Sequence, residues 1–140
     1  MKQKVMLSIR GRQAYLDQEP DVIELVTEGT LEYADDGWNV EYEETDLTGM
    51  QGVTTLFRIE KDRIVLTRRG KLNSQMIFRE GERHESLYEM EFGALLMSVC
   101  AKRIMVRLDE GGGMIDLVYG IEIEQTTAGE VDYHLEIYPK

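Results

Sequence analysis

Apolar residues recur at every second position over most of this chain, and a backbone that sends successive side chains to opposite faces is a β-strand. Trp38, Val40 and Tyr42 alternate with Asn39 and Glu41. Val53, Thr55, Phe57 and Ile59 share the next face, and Ile64, Leu66 and Arg68 follow beyond a Lys61-Asp62 turn. Leu72, Ser74, Met76 and Phe78 form another such set, then Tyr88, Met90 and Phe92. Ile115, Leu117, Tyr119, Ile121 and Ile123 make the longest one-sided ladder, and Val131, Tyr133, Leu135 and Ile137 close the series. Turn residues stand between the runs: Asp35-Asp36-Gly37, Glu80-Gly81-Glu82, Gly111 to Gly113, and Ala128-Gly129. Each supplies a position that tolerates positive φ. Connections this short cannot make parallel crossovers, so neighbouring strands are expected to be antiparallel, in a meander.

The segment Leu95 to Leu108 satisfies two periods. Leu96, Val99, Cys100 and Ile104 fit a helix, whereas Leu95, Met97, Val99 and Ala101, followed by Ile104, Val106 and Leu108, fit a strand whose phase slips at Lys102-Arg103. The content of Val, Ile and Met, with no cap before Ala94, favours the strand with one bulge. Roughly eight to ten strands with one apolar face each must hide that face. The unbroken hairpin order favours a closed barrel over a two-sheet sandwich, which usually needs longer arches. With 140 residues and no linker or repeat, one barrel domain over residues 1–140 is expected.

Composition excludes several function classes. The 16 Lys+Arg against 27 Asp+Glu leave a formal charge of −11, which disfavours nucleic acid and anionic lipid as partners. One cysteine, Cys100, and two histidines, His84 and His134, cannot form an internal disulfide or a zinc cage of the usual kind, so no metal or other cofactor is expected. The N-terminal stretch is broken by charges and reads as no secretory signal, and the apolar run Phe92 to Ala101 is too short to span a bilayer. A cytoplasmic protein is the expectation.

Phosphate-loop, dinucleotide, nucleophile-elbow and zinc-helix motifs do not occur. The acidic run Glu43, Glu44, Asp46 lacks the spacing of a calcium loop and reads as a solvated turn. His84, between Arg83 and Glu85, reads as a surface residue. Arg68 is the informative position, because alternation with Ile64 and Leu66 turns its guanidinium to the apolar side, where an unpaired charge would cost several kcal/mol. An internal carboxylate would make it structural. A ligand in the barrel mouth would make it functional, with Tyr88, Thr55 and Ser86 as nearby hydroxyls and Phe78 and Met76 as apolar lining. A third placement, near the strand end, would let it reach solvent.

Several stretches together carry a likeness: VIELVTEG from Val22, WNVEYEETDL from Trp38, TRRG with Arg68 and Gly70, MIFREG from Met76, YEMEFG from Tyr88, and a weaker IDLVYG from Ile115. In their order and spacing the chain resembles the YwiB-like family of small bacterial proteins, over Val22 to Ile104. The resemblance implies a calycin-like, lipocalin-like antiparallel barrel and supplies no activity or catalytic residue. Two functions remain. One is a small-molecule binder whose ligand is mostly apolar with at most one acidic group, since an acidic protein steers anions away. The other is a non-catalytic interaction module or homodimer with a filled barrel, suggested by outward apolar residues such as Leu56, Val65, Leu87 and Val118. An enzyme ranks third, for no nucleophile stands beside a base.

Overall fold

The computed structural model describes residues 2–15, 18–45 and 50–140. Among these residues ten strands form: β1 (Lys2–Tyr15), β2 (Asp21–Ala34), β3 (Gly37–Glu43), β4 (Val53–Ile59), β5 (Ile64–Gly70), β6 (Ser74–Phe78), β7 (Arg83–Met90), β8 (Gly93–Asp109), β9 (Gly112–Ile123) and β10 (Thr126–Pro139). They make one sheet in the order β6-β5-β4-β3-β2-β1-β10-β9-β8-β7, with antiparallel pairing throughout. Pairing of β1 with β10 turns a sequential meander back on itself. The barrel is therefore nearly closed, and its one seam lies between β6 and β7. Two isolated bridges, Asn73 to Glu89 and Glu80 to Ala101, hold that seam.

The two-residue period decides what lies inside. Val40 and Tyr42, Val53 to Ile59 at alternate positions, Ile64 and Leu66, and Leu72, Met76 and Phe78 are all buried, as are Ile115 to Ile121 and Val131 to Ile137 in the same phase. Phe57, Phe78, Leu66, Leu117 and Leu135 have no exposed surface, so side chains fill the centre of the barrel, as is common at this circumference.

The segment that fits two periods is a strand. Its pairing with β9 shifts register between Ala101 and Arg103, so Lys102 is the extra residue of a bulge and the inward phase resumes at Ile104.

Four expectations need correction. Glu80-Gly81-Glu82 joins the two seam strands and is not a hairpin turn. Ala128-Gly129 lies within β10 at a register shift, and the β9–β10 turn is Glu124-Gln125, both at positive φ (51° and 67°). Nothing in those two residue types announces such a turn; the pairing of the long strands imposes it. Phe92 falls in the β7–β8 turn and is 96% exposed, because the inward phase of β7 ends at Tyr88. Finally, Leu56, Val65 and Val118 face outward but are half-buried by their neighbours; of the four outward apolar residues only Leu87 is exposed.

Candidate functional site

Register places a polar row on the inner wall at one end of the barrel. Tyr42 of β3 stands opposite Thr55 of β4, Thr55 opposite Arg68 of β5, and Arg68 opposite Ser74 of β6. All four are buried, and Arg68 is only 6% exposed, so its guanidinium belongs to the interior and does not reach solvent. Across the lumen Tyr133 of β10 accepts a hydrogen bond from Arg68 Nη2 at 2.9 Å. Tyr133 stands opposite Gly11 across the β1–β10 ladder, where a Cβ would make ordinary van der Waals contact with the phenol ring at 3.7 Å.

The internal carboxylate near Arg68 is Glu44. It continues the inward phase of Trp38, Val40 and Tyr42 two residues past the last of them, is 5% exposed, and its backbone N–H still donates to Val53 at 2.8 Å. Thr55 donates its hydroxyl to Glu44 Oε2 at 2.5 Å, and the Tyr42 phenol is near enough to feel the charge of this carboxyl group. Glu44 was expected in a solvated acidic turn. Phase continuity puts it inside, and its neighbour in that run, Asp46, lies outside the described residues.

These charges and phenols act on one another. Burial opposes the charge of Arg68, yet the oxygens of Tyr133, Tyr119, Tyr42 and Glu44 around it favour that charge, and its pKa is raised. Burial pushes Tyr119 well up, with Tyr133 adding to it, and pushes Tyr42 up in the same way with help from Tyr133 and Glu44. Tyr88 and Tyr15 are raised, again first by burial. Tyr15, Tyr42, Tyr88 and Tyr119 therefore stay neutral hydrogen-bonding groups at any physiological pH. Among the described residues two buried atoms have no hydrogen-bond partner, Glu44 Oε1 and Arg68 Nε, and Ser74 Oγ near Arg68 is a third.

Above this cluster a cavity of about 260 Å³ opens between β1, β2 and the end of β3. Ile9, Ile23, Leu25 and Met50 give it apolar walls, and Tyr42, Glu44 and Tyr133 are part of its lining, with Gln13 and the exposed Asp21 also contributing. Arg68 is not among the lining residues; it sits behind Tyr133. A wider groove of about 800 Å³ opens by Trp38, Ile59 and Ile104, but its rim charges Arg63 and Arg79 already pair with Glu60, Asp62 and Glu82.

The other residues singled out from sequence fall as follows. Thr55 is in the cluster, hydrogen-bonded to Glu44. Met76 and Phe78 are core, at 2% and 0% exposure, and Phe78 packs on Tyr119 with ring centroids 4.6 Å apart. Tyr88 is half-buried against the core. Ser86 faces inward opposite Met97, and among the described residues no hydrogen bond joins it to Arg68. Tyr133, Glu44, Tyr42 and Gln13 were not anticipated as a group; inward phase was their only signal. His84 also needs correction, for it shares the inward phase of Ser86 and Tyr88, stands opposite Val99, and has a buried Nδ1 without a partner among the described residues.

His134 is different in kind. On the outer face, its Nδ1 lies 2.6 Å from Asp116 Oδ1 and its Nε2 3.1 Å from Glu136 Oε1. Those hydrogen bonds, Asp116 first, raise its pKa above the ordinary 6.5. A raised folded value means that protonation favours the native state: the stabilisation is complete below about pH 6.5 and is lost as pH rises through the folded pKa. An NMR titration of the ring should give a midpoint above 6.5, and His134→Gln should flatten the fall in stability across that interval.

Among the described residues no group of three or more His, Cys, Asp or Glu side chains is arranged to hold a metal ion, and no helix is long and apolar enough to cross a membrane. Residues 7–137 match the family described as a domain of unknown function, DUF1934. The chain belongs to this family. In fold it is similar to the crystal structure of the ywiB protein from Bacillus subtilis, at 23% identity and a TM-score of 0.80, covering 96% of this chain and 92% of that one. The likeness is one of barrel architecture and agrees with the YwiB-like resemblance of the sequence. No curated protein matches the chain.

Proposed function

We propose that this family member binds a small, mostly apolar ligand in the cavity at the mouth of its barrel. The observation that carries the reading is the coincidence of that cavity with a buried polar cluster whose hydrogen-bonding capacity is incompletely used. Apolar walls supply affinity, while Tyr133 and Glu44 fix orientation. Arg68 acts through Tyr133: by donating to the phenol oxygen it leaves the phenolic O–H free to donate towards the cavity. At about 260 Å³ the space is a little below the ~300–1,000 Å³ of drug-sized sites, so the ligand is small. A calycin-like carrier in the cytoplasm fits this reading, the lone Cys100 being at home in a reducing compartment.

Thermal-shift screening and calorimetric titration with small alcohols, amides, amines and carboxylic acids test it. The expected result is saturable binding that Leu25→Trp, which fills the cavity, abolishes in a folded protein. No binding from any class would count decisively against the proposal.

A second reading, contact with another copy of this chain, is favoured by Phe92, which at 96% exposure projects from the β7–β8 turn beside exposed Met90 and Leu87. Light scattering at rising concentration should then show dimers that Phe92→Ser removes.

A further inference from the structure

We infer that the ligand of the mouth cavity presents a hydrogen-bond-donating head, a protonated amine, to Glu44, and not an acidic group to Arg68. This deepens the ligand-binding reading above and rests on it. The grounds are the placement of the charges. Glu44 is part of the cavity lining, whereas Arg68 lies behind Tyr133, so an occupant meets the acid before it meets the base. Of the two carboxyl oxygens, Oε2 already accepts from Thr55, and Oε1 is buried without a hydrogen-bond partner among the described residues. A buried acceptor left unmade is costly, and a donor that completes it gains that energy on binding. The terminal torsion of a glutamate is broad, so a modest rotation turns Oε1 towards the occupant.

Charge balance points the same way. Arg68 and Glu44 offset each other at the site, and Asp21 at the rim adds a negative charge that has no ion-pair partner among the described residues. An ammonium group would bring the local sum to zero. A carboxylate would bring it to two negatives, on a chain whose net charge is −11. The apolar walls of Ile9, Ile23, Leu25 and Met50 then hold the body of the molecule.

Hexylamine, hexanol and hexanoate share one tail and differ at the head, so calorimetry with these three at pH 7, together with methyl NMR of Met50, Ile23 and Leu25, separates the alternatives. The expectation is that hexylamine binds about ten-fold or more tighter than hexanoate, as a charge-assisted hydrogen bond would give. Glu44→Gln should lower amine affinity by about the same factor and leave hexanol within about three-fold. Equal or tighter hexanoate binding, with the same methyls shifting, overturns the donor-head inference and leaves the ligand site standing. No shift of those methyls with any of the three overturns both. If Glu44→Gln does not fold, the wild-type ranking decides alone; unchanged amine affinity in a folded Glu44→Gln also overturns the inference.

Discussion

An Arg68→Met variant should lose about 3–5 kcal/mol of stability, because it leaves Glu44 buried without the cation that balances it. With both groups about 5% exposed, solvent screening offers little relief. The change should lower the melting temperature by roughly 10 °C or more for a chain of this size. The urea midpoint reads the same loss without heating. Methionine fills much of the volume, so the loss reports on charge more than on a void. The decisive comparison is the double variant Arg68→Met/Glu44→Gln, which removes both charges and should recover much of the loss. A double variant no more stable than the single one would show that Arg68 does not serve to balance Glu44. A spectroscopic consequence is available as well: without Arg68 donating to it, the Tyr133 phenol loses a buried partner, and its near-ultraviolet signal should change.

Gly70→Ala should be comparably damaging, at about 3 kcal/mol or more. Gly70 stands at φ +127°, a conformation that costs an L side chain about 1–3 kcal/mol, and a Cβ there would lie 2.2 Å from the carbonyl oxygen of Gly52. That contact is with backbone, so β4 and β5 would have to part just beyond the Arg68 row. Gly93→Ala is the control. Its φ is +146°, yet nothing lies within 4 Å of the added carbon, so it should pay the conformational cost alone. Chemical denaturation of the two variants measures the difference, and equal losses would mean that the close approach to Gly52 is easily relieved.

Much of the barrel is legible in the sequence, for a physical reason visible in particular strands. In Ile64, Leu66 and Arg68, or in Ile115 to Ile123, the face a side chain takes follows from the backbone alone, two residues at a time. Even the bulge at Lys102 shows itself as a break of phase. Strand β1 is less legible, because Lys4 before and Arg10 and Arg12 after leave Val5, Leu7 and Ile9 as a short run, which nevertheless lines the core. Glu44 shows the opposite failure: its chemistry suggests a solvated turn while its phase puts it inside, and the phase prevails. His84 misleads in the same way.

Local alternation thus determined which residues face inward, including a guanidinium on an apolar wall, and that the strands follow one another in antiparallel order. Only closure of the barrel decided which inward residues meet. Arg68 and Tyr133 are 65 positions apart and touch because β5 and β10 face each other across the lumen. The cavity over Glu44 exists because β1, β2 and the end of β3 converge there. Alternation fixes a side of the sheet and carries no information about what lies on the far side of the wall, so the guanidinium could be found from sequence, but neither the phenol it holds nor the carboxylate beside it.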